Sequence, residues 1–370
     1  MKRIVHWLAA VLGLCIGASA GAQILIGQTS GFTGPVAAGV KEVSDGARLY
    51  IDATNAKGGI NGQAIEIVTM DDKFEPKLAG ENAKALITEK NVVALFLSRG
   101  TPHTQAILPL LEQYKVPLIA PSTGAMALHK PVNPWVFNVR ATYQREAERA
   151  VQHLSLIGMD HIGVIHVEDS FGSDMLEGAK KGFTAVAKNA VFIEKYNREK
   201  WDFTKIAPLV ASSGVQAVLF IGSGNAVADG IDAIRKAGSR AQIVTFSNNA
   251  SGGFVKSLKD NARGVIVTQV FPYERSLSAP MVKEAHDLAV AKGLEGVSPA
   301  MLEGFAAAKV LVAALKRAGP SPTRAKVQQA LEGMNKVDIG GLEVSYSAAD
   351  HTGLEFVDLS IIGQDGKFRR

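Results

Sequence analysis

The sequence has a single cysteine, Cys15, which lies within the first 22 of its 370 residues. That N-terminal segment begins with basic residues, continues with a short apolar run and offers Ala18-Ser19-Ala20 as a small-residue cleavage site. The pattern predicts a secretory signal peptide over residues 1–22. The alternative is an uncleaved membrane anchor, for which the run is short and interrupted by His6 and Trp7. The mature chain would then lack thiols and disulfides, and we expect it in a Gram-negative periplasm.

Long apolar runs and a strong charge excess are also missing. After residue 22 no uninterrupted run approaches the roughly 18 apolar residues that a membrane-spanning helix needs. The chain has 40 Lys and Arg against 35 Asp and Glu, a formal net charge of +5, and no basic run longer than a pair of residues. This charge balance argues against a nucleic-acid partner.

Motifs for catalysis and for metal binding are missing as well. After residue 22 there is no Gly-x-Ser-x-Gly elbow, phosphate-binding loop or zinc-protease helix. Gly222-Ser223-Gly224 follows an apolar strand, but Val227 replaces the third glycine of a dinucleotide fingerprint and Ser247 replaces its acid. His161 and His166 fall on opposite faces of a strand, which disfavours a shared metal. We therefore expect no metal, no cofactor and no enzymatic activity.

The pattern that is present alternates buried apolar runs with amphipathic helices, which is typical of a doubly wound parallel sheet. Roughly 350 mature residues are too many for one compact core and suit two domains. The alternation restarts near Asn138 to Tyr143, where we expect a crossover into a second domain. Helices dominate after Phe271, and a β-rich tail runs from Val337 to Ile362.

One stretch, residues 92–124, combines two buried strands with polar loops. The strands are Val92 to Leu97 and Val116 to Ala120, and the loops 98–101 and 121–124 follow their carboxyl ends. Open α/β sheets bind ligands at these ends. The loops contain Ser, Thr and Gly, and their only strong acid or base is Arg99. This composition predicts a site that holds a small polar group rather than one that transforms it.

Three further features have alternative readings. Asp71-Asp72 could hold Mg²⁺ through water, although binding of backbone amides in the next turn is the favoured interpretation. Glu303, in an otherwise apolar helix, either lies on a solvated face or faces the cleft as a partner for a ligand cation or donor. Phe171 is either an aromatic lid over a ligand or a packing residue at a helix start.

Several segments in fixed order, spread over some 340 residues, carry a resemblance to a known family. They are SGFTGP, DATNAKGGINGQAIEIVTMDD, VPLIAPSTGA, FNVRATYQREAE, VEDSFG, LEGFAAAKVL and GGLEVSYSAADHTG. The chain resembles the extracytoplasmic solute-binding proteins of ABC transporters, specifically the branched-chain amino-acid binding type with the type I periplasmic fold. Each segment alone is a weak signal, and their order is the strong one.

The resemblance implies an α/β fold of two Rossmann-like lobes with parallel central sheets, joined by a three-strand hinge. Residues 23–141 and 272–347 would form the first lobe, and residues 142–271 and 348–370 the second. The expected partners are a small-molecule ligand and an inner-membrane ABC permease, with the protein itself a monomer.

Carried over to this sequence, the family's site implies two groups of ligand-binding residues. In the first lobe, the hydroxyls and amides of Gly100, Thr101, Ser122, Thr123 and Gly124 would take a ligand carboxylate. Across the cleft, the implied residues are Tyr143, Phe171, Ser223, Ser247 and Asn248.

Two departures from the family pattern bear on the ligand. Ser247 stands where amino-acid binders place an acid for the ligand ammonium, and Glu303 and Asp169 are the candidate substitutes. Ser223 and Gly224 stand where an aromatic residue is common. The departures leave the residues for carboxylate recognition in place and leave recognition of an α-amino group open.

We therefore expect a protein that captures a small carboxylate-bearing ligand, an amino acid or a related or aromatic acid, by closure of two lobes. The alternatives are a periplasmic sensor that docks on a receptor and an exported enzyme that uses the same cleft. The enzyme alternative lacks any acid–base or nucleophile pair at suggestive spacing.

Overall fold

The computed structural model describes residues 23–370, which form two α/β lobes, each built on its own sheet. In chain order the strands are β1 (Ile24–Ser30), β2 (Ile65–Asp71), β3 (Ala94–Phe96), β4 (Leu118–Ile119), β5 (Val136–Phe137), β6 (Ile162–Val167), β7 (Ile193–Tyr196), β8 (Ala217–Ile221), β9 (Gln242–Thr245), β10 (Ile266–Gln269), β11 (Val337–Asp338), β12 (Glu343–Val344), β13 (Asp358–Ile362) and β14 (Phe368–Arg369). The helices are α1 (Ala37–Ala56), α2 (Pro76–Thr88), α3 (Thr101–Tyr114), α4 (Tyr143–Leu156), α5 (Ser170–Ala185), α6 (Ile206–Ser212), α7 (Asn225–Lys236), α8 (Gly252–Ser257), α9 (Pro280–Ala291), α10 (Pro299–Ala318) and α11 (Arg324–Glu332).

The first sheet is parallel throughout, with the order β2-β1-β3-β4-β5. Strands β3 and β4 are shorter than the sequence predicts. Each is followed by a residue with a left-handed backbone, Leu97 and Ala120, both at φ 51°. Such a conformation is uncommon for a residue other than glycine and turns the chain out of the sheet.

Helices from both ends of the chain cover the first sheet. Helix α10 is buried along most of its length and packs against α1. A Cβ atom at Gly46 would lie 1.9 Å from the Met301 carbonyl oxygen, and one at Gly304 would lie 1.7 Å from that of Val43. Glycine at these two positions therefore lets the helix backbones touch.

The second sheet has seven strands in the order β14-β13-β10-β9-β8-β6-β7. Strands β6 to β10 are parallel, whereas β13 and β14 pair antiparallel. The expected two-lobe α/β fold is thus confirmed, and the second sheet is mixed rather than parallel. The C-terminal tail forms the hairpin of β13 and β14, whose strands must be antiparallel to each other, and β13 also runs antiparallel to β10 at the edge of the sheet.

The predicted signal peptide, residues 1–22, lies outside the described residues. Within residues 23–370, no helix is long and apolar enough to cross a membrane.

Candidate ligand-binding cleft

The loops after β3 and β4 lie side by side at one end of the first sheet. The Ser122 amide donates to the Ser98 carbonyl oxygen at 2.8 Å, and Arg99 and Ser122 form a parallel bridge. Backbone strain of the kind held at Leu97 and Ala120 is concentrated at functional sites. The loop positions 98–101 and 121–124, separated by about twenty residues, therefore share one surface.

The predicted first-lobe residues are brought together by these loops. Thr101 Oγ1 and Thr123 Oγ1 lie 2.8 Å apart, and both side chains are buried. Gly100 precedes α3 with φ 95°, and no side chain caps the helix. The uncapped amides at a helix N-terminus and nearby hydroxyls are the groups that bind a carboxylate. Gly124 is held against the next segment, since its carbonyl oxygen accepts from the Tyr143 amide at 2.8 Å.

Arg99 is the charged residue of this surface, and it reaches across to the second lobe. Its Nη1 donates to Ser122 Oγ at 3.3 Å and its Nη2 to the Asn248 carbonyl oxygen at 2.5 Å. Only 5% of the residue is exposed. Within residues 23–370 no carboxylate forms an ion pair with it. The structure therefore buries a guanidinium among neutral partners.

A second buried cation, Arg140, lies where the chain passes from β5 to α4. Its Nη2 donates to the Glu146 carboxylate and, at 2.7 Å, to Ser247 Oγ. Both members of this ion pair are at most 1% exposed. Burial alone would lower the pKa of Arg140, but the charges of Glu146, Tyr143 and Glu303 and the hydrogen bond to Glu146 together outweigh it, and the pKa is raised. The guanidinium carbon also lies 4.5 Å from the centroid of the Tyr143 ring.

Glu146 is fully supplied with donors. Besides Arg140, it accepts from the Ser247 amide at 3.1 Å, from Ser247 Oγ at 3.0 Å and from the Thr268 hydroxyl. A carboxylate offers about four lone-pair positions. An acid therefore does stand beside Ser247, supplied by α4 rather than by the loop after β9, but all its positions are occupied.

Sequence reasoning missed Arg140, Glu146 and Thr268. A signal for Glu146 was present: it shares the buried face of α4 with Tyr143 and Ala150, at the helical spacings of three and four. An acid on an apolar helical stripe needs a buried partner. The partner itself could not be read from that pattern.

Glu303 is buried, with 6% exposed, so the solvated-face interpretation is wrong. Its Oε2 lies 3.9 Å from Arg140 Nη1, while Glu303 Oε1 and Arg140 Nη1 each lack a hydrogen-bond partner. The two side chains line a small void together with Leu97, Ala120 and Phe271. Glu303, on α10, thus faces Arg140 across a gap too long for a hydrogen bond.

The remaining second-lobe residues are partly occupied with one another. Phe171 is 3% exposed and packs edge-on against Tyr143, with ring centroids 4.9 Å apart, which is the helix-start packing role. Ser223 Oγ accepts from Asn248 Nδ2 at 2.9 Å. Asp169 accepts from the Phe171 amide at 2.9 Å and pairs with Arg198, so it is not free for a ligand.

The acidic pair Asp71-Asp72 binds backbone amides, as the favoured turn interpretation predicts. Asp71 accepts from the Lys73 amide and Asp72 from the Phe74 amide, each at 2.9 Å. Burial raises the pKa of Asp72 to about 6. Within residues 23–370 no group of three or more His, Cys, Asp or Glu could hold a metal ion.

The two lobes are closed on one another. The Asn225 amide donates to the Pro35 carbonyl oxygen at 3.2 Å, and Ser170 Oγ donates to Gln105 Oε1 at 2.7 Å. The cavity beside Arg99, lined in part by Pro35, has a volume of about 30 Å³. Pockets that hold small-molecule ligands have volumes of roughly 300–1,000 Å³. A larger ligand would enter this site only when the lobes separate.

A polar surface at the carboxyl ends of two sheets, enclosed between two lobes, is the arrangement of a ligand-binding cleft. The family model described as "Periplasmic binding protein" matches residues 23–359. The chain belongs to the periplasmic binding protein family. Members of this family are binding proteins and not enzymes.

Individual relatives are similar in sequence over most of the chain. The Leu/Ile/Val-binding protein homolog 3 of Brucella melitensis is 24% identical over 345 residues, 92% of this chain and 90% of that protein. The Leu/Ile/Val-binding protein of Escherichia coli is 23% identical over 319 residues, 85% of this chain and 84% of that protein.

Solved structures also match nearly the whole chain. A substrate-binding periplasmic protein from Ralstonia solanacearum has a TM-score of 0.86 and 29% identity, covering 94% of this chain and 99% of that one. A branched chain amino acid ABC transporter from Thermus thermophilus with bound valine has a TM-score of 0.81 and 18% identity, covering 94% and 95%. The second similarity concerns the fold alone.

Proposed function

We propose that this protein is the solute-binding component of an ABC importer. It captures a small carboxylate-bearing molecule between its two lobes and delivers it to an inner-membrane permease. The protein works in the periplasm, to which the N-terminal signal peptide directs it before being cleaved. Family membership and the amino-acid binding named for its relatives support this proposal.

One observation carries the proposed ligand chemistry: the buried donors gathered at the loops after β3 and β4. These are the hydroxyls of Thr101, Ser122 and Thr123, the uncapped start of α3, and the Arg99 guanidinium. Each of these groups can donate a hydrogen bond and Arg99 also carries a positive charge, which suits an anionic ligand group.

Capture follows from the difference in affinity between open and closed forms. A ligand held by the first-lobe loops gains further partners when Ser223, Ser247 and Asn248 close over it, and closure excludes water. The ligand shifts the equilibrium toward the closed form only by that extra affinity. A permease would then distinguish loaded from unloaded protein by its shape.

The lobe boundaries belong to the same proposal. Residues 23–141 and 272–347 form one moving body, and residues 142–271 and 348–370 the other. Three crossings of the chain then form the hinge, and the protein acts as a monomer.

Native mass spectrometry of the purified mature protein tests the ligand proposal by weighing what co-purifies. A thermal-shift screen of amino acids, aromatic acids and short amides follows on dialysed protein. A compound at about 100 times its Kd raises the stability by about 2.7 kcal/mol. We expect carboxylates to raise the melting temperature and their amides to leave it unchanged. Stabilisation by the amides and not by the carboxylates would contradict the proposal.

A further inference from the structure

Arg99 is a buried cation whose partners are neutral. It donates to Ser122 Oγ and to the Asn248 carbonyl oxygen, and it forms no ion pair within the part of the chain that the structure describes. Burying a charge without a counter-charge is costly, and two planar donors fit a carboxylate. The contact with Ser122 places the guanidinium at the loops that would hold the ligand anion.

The other charges of the cleft are gathered around Tyr143. Burial raises the pKa of Tyr143, and its charged neighbours are Arg140, Arg99, Glu146 and Glu303. Arg140 and Glu146 neutralise each other in direct contact. The choice of ligand therefore depends on Arg99 and on whether any carboxylate of the cleft is still free to pair with a ligand ammonium.

Two of the three candidate acceptors for a ligand ammonium are already occupied. Glu146 accepts from Arg140, from Thr268 and twice from Ser247. Asp169 is taken up by Arg198 and by the amides at the start of α5.

Glu303 retains one unpartnered oxygen, but a cation faces it. Arg140 Nη1 lies 3.9 Å from Glu303 Oε2 and is itself without a hydrogen-bond partner. An ammonium bound to Glu303 would therefore lie beside the Arg140 guanidinium in a buried site, where like charges repel strongly. Glu303 is therefore a poor acceptor for a ligand ammonium.

We propose that the ligand is a small organic acid without an ammonium group, and that Arg99 supplies its counter-charge. This inference rests on the proposed function and narrows its ligand class. It assigns Arg99 as the residue that selects an anion.

Matched pairs of probes separate the two ligand classes. The pairs are 4-methylpentanoate with L-leucine and 3-phenylpropanoate with L-phenylalanine, in which the partners differ only in the ammonium group. The two amides of the acids serve as uncharged controls. Isothermal titration of the dialysed wild-type protein should show the better-fitting acid binding at least roughly tenfold more tightly than its amino acid. The amide of that acid should bind roughly 100-fold more weakly than the acid.

Variants then test Arg99 itself. Arg99→Gln should weaken binding of the acid roughly 100-fold, and Arg99→Lys, which keeps the charge but loses the planar fork, roughly tenfold. The matched control is Arg145→Gln, because the Arg145 side chain is 49% exposed on α4 and pairs with Glu355 at the surface. Its affinity should equal that of the wild type. Circular dichroism melts confirm that each variant is folded.

The outcomes are distinct. Tighter binding of either amino acid than of its acid overturns the inference and leaves the proposed function standing. Equal affinity of Arg99→Gln and the wild type for the acid overturns the role of Arg99. If the wild type binds none of the acids, the inference is wrong, and if it binds no amino acid either, the proposed function loses its support as well.

Discussion

Substituting Glu146 by glutamine keeps the shape of a fully buried side chain and removes the charge that neutralises Arg140. The arginine would keep only Glu303 as a counter-charge, at 3.9 Å and without a hydrogen bond. The new amide would also present two donors where the wild-type carboxylate accepts from Ser247 and Thr268. Both changes act on groups that have no access to water.

Removing one partner of a buried ion pair costs about 3–5 kcal/mol, because the other charge is left uncompensated. The low exposure of both residues, at most 1%, places Glu146→Gln within this range. For a lobe of this size, a loss of that magnitude lowers the melting temperature by on the order of 10 °C. The network joins α4 to the loop after β9 and to β10, so the effect should fall on the second lobe as a unit.

Urea unfolding followed by circular dichroism measures the loss. The double variant Arg140→Met with Glu146→Gln should recover part of this loss, because the guanidinium that the single change leaves without Glu146 is then absent too. The surface pair Arg145 and Glu355, 3.6 Å apart and half exposed, gives the control, since Glu355→Gln should change stability by less than about 1 kcal/mol. A Glu146→Gln variant within 1 kcal/mol of the wild type would refute the view that this ion pair is essential to the second lobe.

Three further predictions concern binding, closure and pH. Thr101→Val should weaken ligand binding by about 1–3 kcal/mol in calorimetry by removing a buried donor, and unchanged affinity would misplace the site. Gly224→Ala should hinder closure of the lobes, because its Cβ would lie 1.9 Å from the Pro35 carbonyl oxygen. We expect an affinity at least roughly tenfold lower and a larger ligand-bound protein in small-angle scattering. The control Gly214→Ala, also at positive φ but with nothing within 4 Å of the new Cβ, should keep wild-type affinity. Burial raises the pKa of Glu274 from 4.5 to about 7, so the folded chain retains a proton that the unfolded chain releases, and stability falls as pH rises between those values. Glu274→Gln should therefore stabilise by about 1–3 kcal/mol at pH 8 and by almost nothing at pH 4 in urea titrations, and an equal gain at both would contradict this assignment.

The alternation of apolar runs and amphipathic helices was sufficient to predict an α/β fold of two lobes, because period and burial are local properties of the sequence. Strand lengths were less predictable. Val92 to Leu97 and Val116 to Ala120 read as continuous strands, but each leaves the sheet at a left-handed residue, which apolar composition does not reveal. The antiparallel edge of the second sheet was hidden for a similar reason, since pairing partners lie far apart in the chain.

The sequence by itself determined that polar loops follow two buried strands and that small hydroxyls and Arg99 lie on them. Only the tertiary structure decided which charges are neutralised. Glu146 meets Ser247 and Thr268, which lie 101 and 122 residues further along the chain, and Arg140 faces Glu303 of α10. Coulomb energy and desolvation depend on distance and burial, and both arise from the packing of segments that are remote in sequence. Arg99 is left without a counter-charge by that same packing.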